Sequence, residues 1–527
     1  MTQSPPPDES PPFARRHLVV VAVAVVAGAL LGWLGRQPPV TLGGDDSTYY
    51  LLAEAITGGR YVDVFLPGTP PHAQYPPGFP LLIAGIWAIT GPSVVAVQVV
   101  NLVLLGVTAL LVAIGVRRRF GPTLGVGAAV AVALNPLLVH YTGWILSETL
   151  FVASSTAVLV VLAGPCRTLR IGHWALATGL ALVAFFTRSV GITTVFAVVA
   201  GLLVCRRRRL ALAGAMSLVV LAGWFTYTRW ATGRTLGWSY ANDLAHIEPS
   251  QVVDLAFRAM ASAKFYLVAT PRRALGIPDI ADMPFDNALW VMALGALLLL
   301  GLWQLWRRWR VAALFFVFCS GVLLVFPFTV VRLLAPLIPV VVVAIVLGAV
   351  EITAMLGSRR PIVAGITVAA ALATLGFVGG TETAVERMRC RAAGEASCRT
   401  PDEVAWMAAA EWMRDGLPRG TVIASAKPSL IYRVSGHQSV QSRMLFYGDL
   451  DRKFVPEGPL THVMVSGLWA YERRDLPPAL RGICHRLRLL PGPTSEVLIL
   501  EVLPTDAPPE TSGCVALVAA FDPERAD

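Results

Sequence analysis

Two adjacent acids, Asp45 and Asp46, are the first residues in the chain whose type and setting suit chemistry. They open the stretch GGDDSTYYLLAEAITGG and follow closely on an apolar run, Leu18 to Leu34. An ionised group that near hydrocarbon is costly unless it faces a polar cavity. Two readings stand: a solvated pair capping the helix expected over Ser47 to Ile56, or a catalytic or binding pair. The second is favoured, because the other charges expected at that membrane edge are arginines. Arg188 lies at the tip of a short apolar hairpin, Thr187-Arg188-Ser189-Val190-Gly191, and Arg332 opens another apolar run. Ser147-Glu148 follows His140, Tyr141 and Trp144 at the same expected level. Arg188 as a snorkelling residue and Ser147-Glu148 as a plain helix start are the structural alternatives. Taken together, two guanidinium forks and neighbouring carboxylates suit a phosphate and a hydroxyl, since the forks grip phosphate oxygens and a carboxylate can take the hydroxyl's proton. A lipid-linked phosphosugar offers its phosphate at that depth and its sugar to water.

The elements that hold these residues follow from composition. Of 527 residues, 55% are hydrophobic and only 14% charged, and the mean hydropathy is +0.64. This is the composition of an integral membrane protein. The formal charge of +10 sits mainly in short arginine clusters between apolar runs, which report topology. No basic face is long enough to track nucleic acid.

Spans of about 20 apolar residues are expected at 18–34, 93–116, 121–139, 146–164, 173–187, 189–204, 210–230, 288–306, 311–328, 330–350 and 361–379. The clusters Arg117 to Arg119, Arg167 with Arg170, Arg206 to Arg209, Arg307-Arg308-Arg310 and Arg359-Arg360 then fall on one side, which the positive-inside rule assigns to the cytoplasm. For this to hold, Phe79 to Ile89 must not cross, and 173–204 must cross twice. Residues 1–17 are expected to be a disordered cytoplasmic tail, with 18–34 a retained anchor. Residues 36–92 and 231–287 form outer loops; each carries an interfacial helix, Ser47 to Ile56 and Ser250 to Ala269. Tyr75-Pro76-Pro77-Gly78 sets a turn.

Residues 380–527 have ordinary composition and are expected to form an extracytoplasmic α/β domain. A helix is predicted over Asp402 to Leu417, and strands over 421–426, 430–434, 462–466, 487–490 and 497–502. Four of the seven cysteines, Cys390, Cys398, Cys484 and Cys514, lie here. Two disulfides suit an oxidising compartment, 390 to 398 and 484 to 514 being the simplest of three connectivities. Zinc is disfavoured by the lack of any C-x-x-C spacing.

Five motifs in order, GDDSTYYxxA, YPPGFPL, LSETLF at 146–151, FTRSVG at 186–191 and VRLLAPLIP at 331–339, resemble the polytopic GT-C glycosyltransferases. The resemblance covers roughly 18–380 and is nearest to the group of bacterial protein O-mannosyltransferase-like enzymes and the aminoarabinose transferase of lipid A. It implies a polytopic helical fold and an inverting transfer of a sugar from a polyprenyl-phosphate donor to a glycan, lipid or protein acceptor on the outer face. By position it implies Asp45 as catalytic base with Asp46 as the acid that follows it. It also implies Arg188 and Arg332 at the donor phosphate, and Glu148 as the second-loop acid. Tyr49, Tyr75 and His140 are further candidate donor or acceptor contacts, and a divalent cation held by Asp45 and Asp46 is the only cofactor considered. Thr48 and Tyr75 stand where the lipid A enzyme carries Arg and Lys, which points away from aminoarabinose transfer. The competing class is a multi-span transporter or flippase of a lipid-linked anion. Such proteins show repeated halves and broken helices meeting at the midplane, and neither is legible here.

Overall fold

The computed structural model describes residues 12–232, 252–266, 274–276, 284–326, 329–447 and 460–521. The tail 1–11 and most of the loop 231–287 lie outside the described residues. Helices occupy every segment expected to span: α1 (Arg15–Leu34), then α2 (Asp46–Thr57) and α3 (Gly78–Thr90) in the first loop, and α4 (Val94–Phe120). Next come α5 (Pro122–Ala133), α6 (Pro136–Thr142), α7 (Glu148–Val161), α8 (Ile171–Thr187), α9 (Ile192–Val204), α10 (Arg208–Thr232) and α11 (Val252–Lys264). The series continues with α12 (Pro284–Arg308), α13 (Arg310–Val325), α14 (Ile338–Met355), α15 (Pro361–Ala392), α16 (Pro401–Gly416) and α17 (Pro428–Ser435). Among the described residues, four helical stretches are long and apolar enough to cross a membrane. They are α1, α4, Val331–Met355 and α15, and the bent pair α5 and α6 would make a fifth. Helices α3, α7, α8 and α13, together with Ser189–Val204, are apolar but shorter.

Three expectations are corrected. The span at 121–139 is not one rod: it bends by 52° between α5 and α6, because Pro136 at the first turn supplies no N–H to α5 and the Asn135 side chain accepts from Leu138 N to start a new helix. The last span does not end at 379 but runs on to Ala392, so the expected boundary at 380 falls inside a helix. The strand expected at 430–434 is helix α17. Pro428 stands at its first turn and Gly436, at φ +79°, closes it in the left-handed conformation, which glycine adopts without a Cβ clash. The edge strand itself is the polar Gln438–Gln441, whose sequence lacks the alternation that signals a strand.

The arginine clusters meet at one end of the bundle. Arg117 lies over the Phe13 ring at 5.1 Å and Arg308 over Phe120 at 5.7 Å. Arg118 donates to Val160 O and Trp309 to Leu159 O, and Cys166 is bonded to Cys205. These contacts join the neighbourhoods of four of the five clusters, 117–119, 167–170, 206–209 and 307–310, at one end of the bundle. At the other end, α3 meets the α8 hairpin tip backbone to backbone. A Cβ on Gly78 would stand 2.6 Å from Phe186 O, so the glycine of YPPGFP is what lets that turn seat against FTRSVG.

The C-terminal sheet region contains β1 (Val422–Ser425), β2 (Gln438–Gln441), β3 (His462–Ser466), β4 (Leu487–Leu489) and β5 (Val497–Val502) in the order β2-β1-β3-β5-β4. Strands β2, β1 and β3 are parallel, and β5 runs antiparallel to β3 and β4. Cys390–Cys398 and Cys484–Cys514 are bonded, the pairing named as simplest from spacing. The first loop is held against this region at two points. Leu42 is buried among Trp406, Met413, Ile431 and Met464, while Leu66 lies in the cluster of Val422, Val440 and Leu500. Ser439 N donates to Phe65 O at 2.8 Å. Helix α2 is thus enclosed by α3 on one side and α17 on the other, with Tyr49, Leu51, Leu52 and Ala53 buried.

At the end of the central strand β3, Glu472 is buried and accepts from the Ser466 hydroxyl at 2.6 Å. Burial pushes its carboxyl up to about 7, offset in part by hydrogen bonds from the Ser466 side chain and backbone. A folded-state pKa above the unfolded value contributes stability that is full below pH 4.5 and is lost as pH rises through about 7. The protein should therefore lose roughly 3 kcal/mol between those limits through this one group. Thermal melts from pH 5 to 8 should show that slope in the native protein and a flatter one in Glu472→Gln. Equal slopes would contradict the assignment.

Candidate active site

All the residues singled out by type except His140 converge at the end of the bundle opposite the arginine-rich one. Helix α2 begins at Asp46, with Asp45 as its N-cap. Gly44, at φ +106°, turns the chain into it. Asp45 Oδ2 pairs with Arg332 Nη2 at 2.8 Å. Arg332 Nε is 3.9 Å from Glu148 Oε1, and the same oxygen takes Arg188 Nη1 at 2.5 Å. Arg188 also donates to Ser147 Oγ at 3.2 Å, which is 3.1 Å from the Tyr49 hydroxyl. Tyr49 lies 4.9 Å from Tyr75, centroid to centroid, and the Tyr75 side chain hydrogen-bonds Asp45. The chain of contacts closes on itself.

Each member is set by its local fold. Arg188 is the extended C-cap of α8, directly before the short turn Ser189–Gly191, so its side chain leaves the helix sideways into the bundle. Arg332 stands in the 3-10 turn Val331–Leu337, ahead of α14. Glu148 opens α7 and is 2% exposed. Its Oε2 has no hydrogen-bond partner among the described residues, and Glu148 lines a cavity of about 10 Å³ with Thr108, Tyr141 and Thr149. Tyr75 is fixed from behind: its N–H donates to His72 Nε2 at 2.8 Å, and His72 Nδ1 lies 2.6 Å from Asp63 Oδ1. With Nε2 accepting, Nδ1 is the ring nitrogen that donates, and it gives its hydrogen bond to Asp63 Oδ1. The Tyr61 hydroxyl donates to Tyr75 O.

The two acids are not equivalent. Burial draws the Asp45 carboxyl up, but Arg332, Lys427 and the hydrogen bonds from Tyr75 and Arg332 outweigh it, leaving the pKa below the usual value. Asp46 is 3% exposed and accepts from Thr41 Oγ1 at 2.6 Å. Burial pushes it up to about 6, opposed by Thr41, Arg433 and Lys427 and reinforced by Asp45. Asp45 therefore meets the arginines as a carboxylate, and Asp46 faces the sheet region. His140 is the outlier. Its Nε2 accepts from Trp144 Nε1 at 3.1 Å and its ring meets Tyr141; no described contact joins it to the chain of Asp45, Arg332, Glu148 and Arg188. The acids do not fit a divalent ion by themselves. Both face cations, and among the described residues no three His, Cys, Asp or Glu converge as metal ligands.

Sequence reasoning missed Lys427, Ser429 and Arg433, all from the sheet region. Lys427 Nζ donates to Gly44 O at 3.1 Å, Ser429 Oγ accepts from Thr48 at 2.8 Å, and Arg433 lies over the Tyr50 ring at 3.9 Å. It also passed over Asp63 and His72, whose spacing carries no signal until the loop is folded.

No model of a known protein family matches the chain, and no curated protein matches it. Solved structures do: the chain has the fold of the GT-C glycosyltransferases. One such structure is ArnT from Cupriavidus metallidurans bound to undecaprenyl phosphate, at TM-score 0.54 and 14% identity, covering 94% of this chain and 99% of that one. Another is the archaeal oligosaccharyltransferase AglB from Archaeoglobus fulgidus in complex with an inhibitory peptide and a dolichol-phosphate, at TM-score 0.53 and 14% identity, covering 94% and 75%.

Proposed function

We propose that the chain is an inverting glycosyltransferase that moves a sugar from a polyprenyl-phosphate donor to a hydroxyl acceptor at the outer face of the cytoplasmic membrane. The observation that carries this reading is the contact chain Asp45–Arg332–Glu148–Arg188, two guanidiniums and two carboxylates at one end of an apolar bundle. The shared fold with enzymes solved on undecaprenyl phosphate and dolichol-phosphate supports the donor class.

In the resting site Arg332 is spent on Asp45. A donor phosphate competes for that fork, and its hold on the guanidinium grows through the reaction, because the singly charged phosphodiester of the donor leaves as a more highly charged phosphate monoester. Once Arg332 turns to the phosphate, Asp45 loses one of the two cations that depress its basicity and keeps Lys427, so it becomes a better proton acceptor while still ionised. The acceptor O–H gives its proton to Asp45 while its oxygen bonds to the anomeric carbon, on the face opposite the phosphate. The bond from that carbon to the phosphate oxygen breaks, and the electron pair leaves with the lipid phosphate. Arg332 and Arg188 neutralise the charge gathering there. Tyr49 and Tyr75 line the same space, and Asp46 supports the loop. The test is product stereochemistry: purified protein given labelled polyprenyl-phosphate sugars and membrane acceptors should release polyprenyl phosphate and a product of opposite anomeric configuration. A retained configuration would rule out the one-step displacement.

Orientation follows from the arginine-rich end facing the cytosol. Cys166 and Cys205 are at that end, so in growing cells the reducing cytosol should keep them as thiols. Cys390, Cys398, Cys484 and Cys514 should be oxidised. Alkylation before and after reduction, read by mass spectrometry, checks this. Protected Cys166 and Cys205 with reactive Cys390 and Cys398 would invert the topology.

A further inference from the structure

The geometry points to Lys427 as a positioning residue of the acid loop, which makes the sheet region part of the reaction site. The inference rests on the transferase reading and extends it to a second part of the chain.

Lys427 stands just past the carboxyl end of β1. The chain leaves β1 through α17 to β2 on one side, while β3 pairs on the other. That reversal of strand order opens a crevice at the carboxyl ends, where open parallel sheets take their ligands. Here the crevice receives the protein's own acid loop. Leu42 enters the core beside Ile423 and Met464, and Lys427 Nζ donates to Gly44 O, the carbonyl directly before Asp45. Two further contacts from α17 hold the acid helix in the same register: Ser429 on Thr48, and Arg433 over Tyr50. Lys427 is placed by a docked helix and not by a mobile loop.

Its ammonium answers a problem built into the motif. Two adjacent carboxylates repel, and each has private partners: Arg332 and Tyr75 for Asp45, Thr41 and Arg433 for Asp46. Lys427 is the cation that faces both: burial lowers its pKa, Asp45 and Asp46 oppose that, and Arg332 and Arg443 add to the lowering. When a donor phosphate engages Arg332, Lys427 remains beside Asp45. It keeps the pair ionised until Asp45 takes the acceptor's proton, and it holds the Gly44–Asp45 peptide in place through that step.

The test uses the full-length protein with Lys427→Met, Lys427→Gln and Lys427→Arg. Gln keeps a donor for Gly44 O but no charge. Met should lower kcat about tenfold or more with donor KM changed less than about twofold, and Arg should restore most of the loss. Carbodiimide modification of the acids against pH, followed on the Asp45–Asp46 peptide, reads the ionisation without needing activity. Its midpoint for Asp46 should move up from about 6 by about one pH unit in Met and Gln but not in Arg. Modification curves that superimpose across the variants, or an Arg variant as impaired as Met, would overturn the role of Lys427. Native protein inactive with every polyprenyl-phosphate sugar would instead overturn the transferase reading, and the modification curves would still decide for or against Lys427.

Discussion

Asp45→Asn should lower transfer by about 10³-fold or more, because the amide cannot accept the acceptor's proton and the general base is lost. The same change has a second consequence that separates this account from a general loss of structure. Asp45 holds Arg332 at 2.8 Å in the resting site, so the neutral amide competes less with phosphate for that guanidinium. Donor affinity should be kept or improved while kcat collapses, the signature of an interaction needed in the transition state alone. Steady-state rates and donor KM measured together check both halves. A variant that lost donor affinity and rate in equal proportion would point to a structural role for Asp45.

Arg188→Ala should weaken the donor first. Arg188 is the cation against Glu148, at 2.5 Å, and the link to Ser147 and Tyr49. Its removal takes one guanidinium from the phosphate and leaves a carboxylate that is 2% exposed with Arg332, at 3.9 Å, as its nearest cation. Breaking a buried pair by deleting one partner costs about 3–5 kcal/mol, so donor KM should rise about tenfold or more and the melting temperature should fall. Arg188→Lys keeps a charge but not the fork, and should recover stability better than donor affinity. An unchanged donor KM in the alanine variant would remove Arg188 from the phosphate site.

The membrane half was legible for a physical reason. A charge beside hydrocarbon is expensive, so Asp45, Glu148, Arg188 and Arg332 stood out against apolar runs before any fold was known. The structure joins all four. The sheet region offered no such contrast. In a stretch of ordinary composition Lys427, Ser429 and Arg433 look like any surface residues, and their meaning depends on α17 being a helix docked on α2. The run Leu430 to Val434 read as a strand because so short a segment carries too few positions to distinguish a period of 2 from 3.6; Pro428 and Gly436 were the better guide. The bend at Asn135-Pro136 was present in the sequence as a cap followed by proline, but overall apolarity masked it. His140, chosen for its place in the same loop, is occupied with Trp144.

The most direct measurement is the affinity of bare polyprenyl phosphate for the purified protein and for two single variants. It asks whether Asp45 and the donor phosphate compete for Arg332 and requires no knowledge of sugar or acceptor. Arg332→Gln should bind about tenfold or more weakly, and Asp45→Asn as tightly as the native protein or more tightly. Two variants that both bind with native affinity, or that weaken together, would contradict the account.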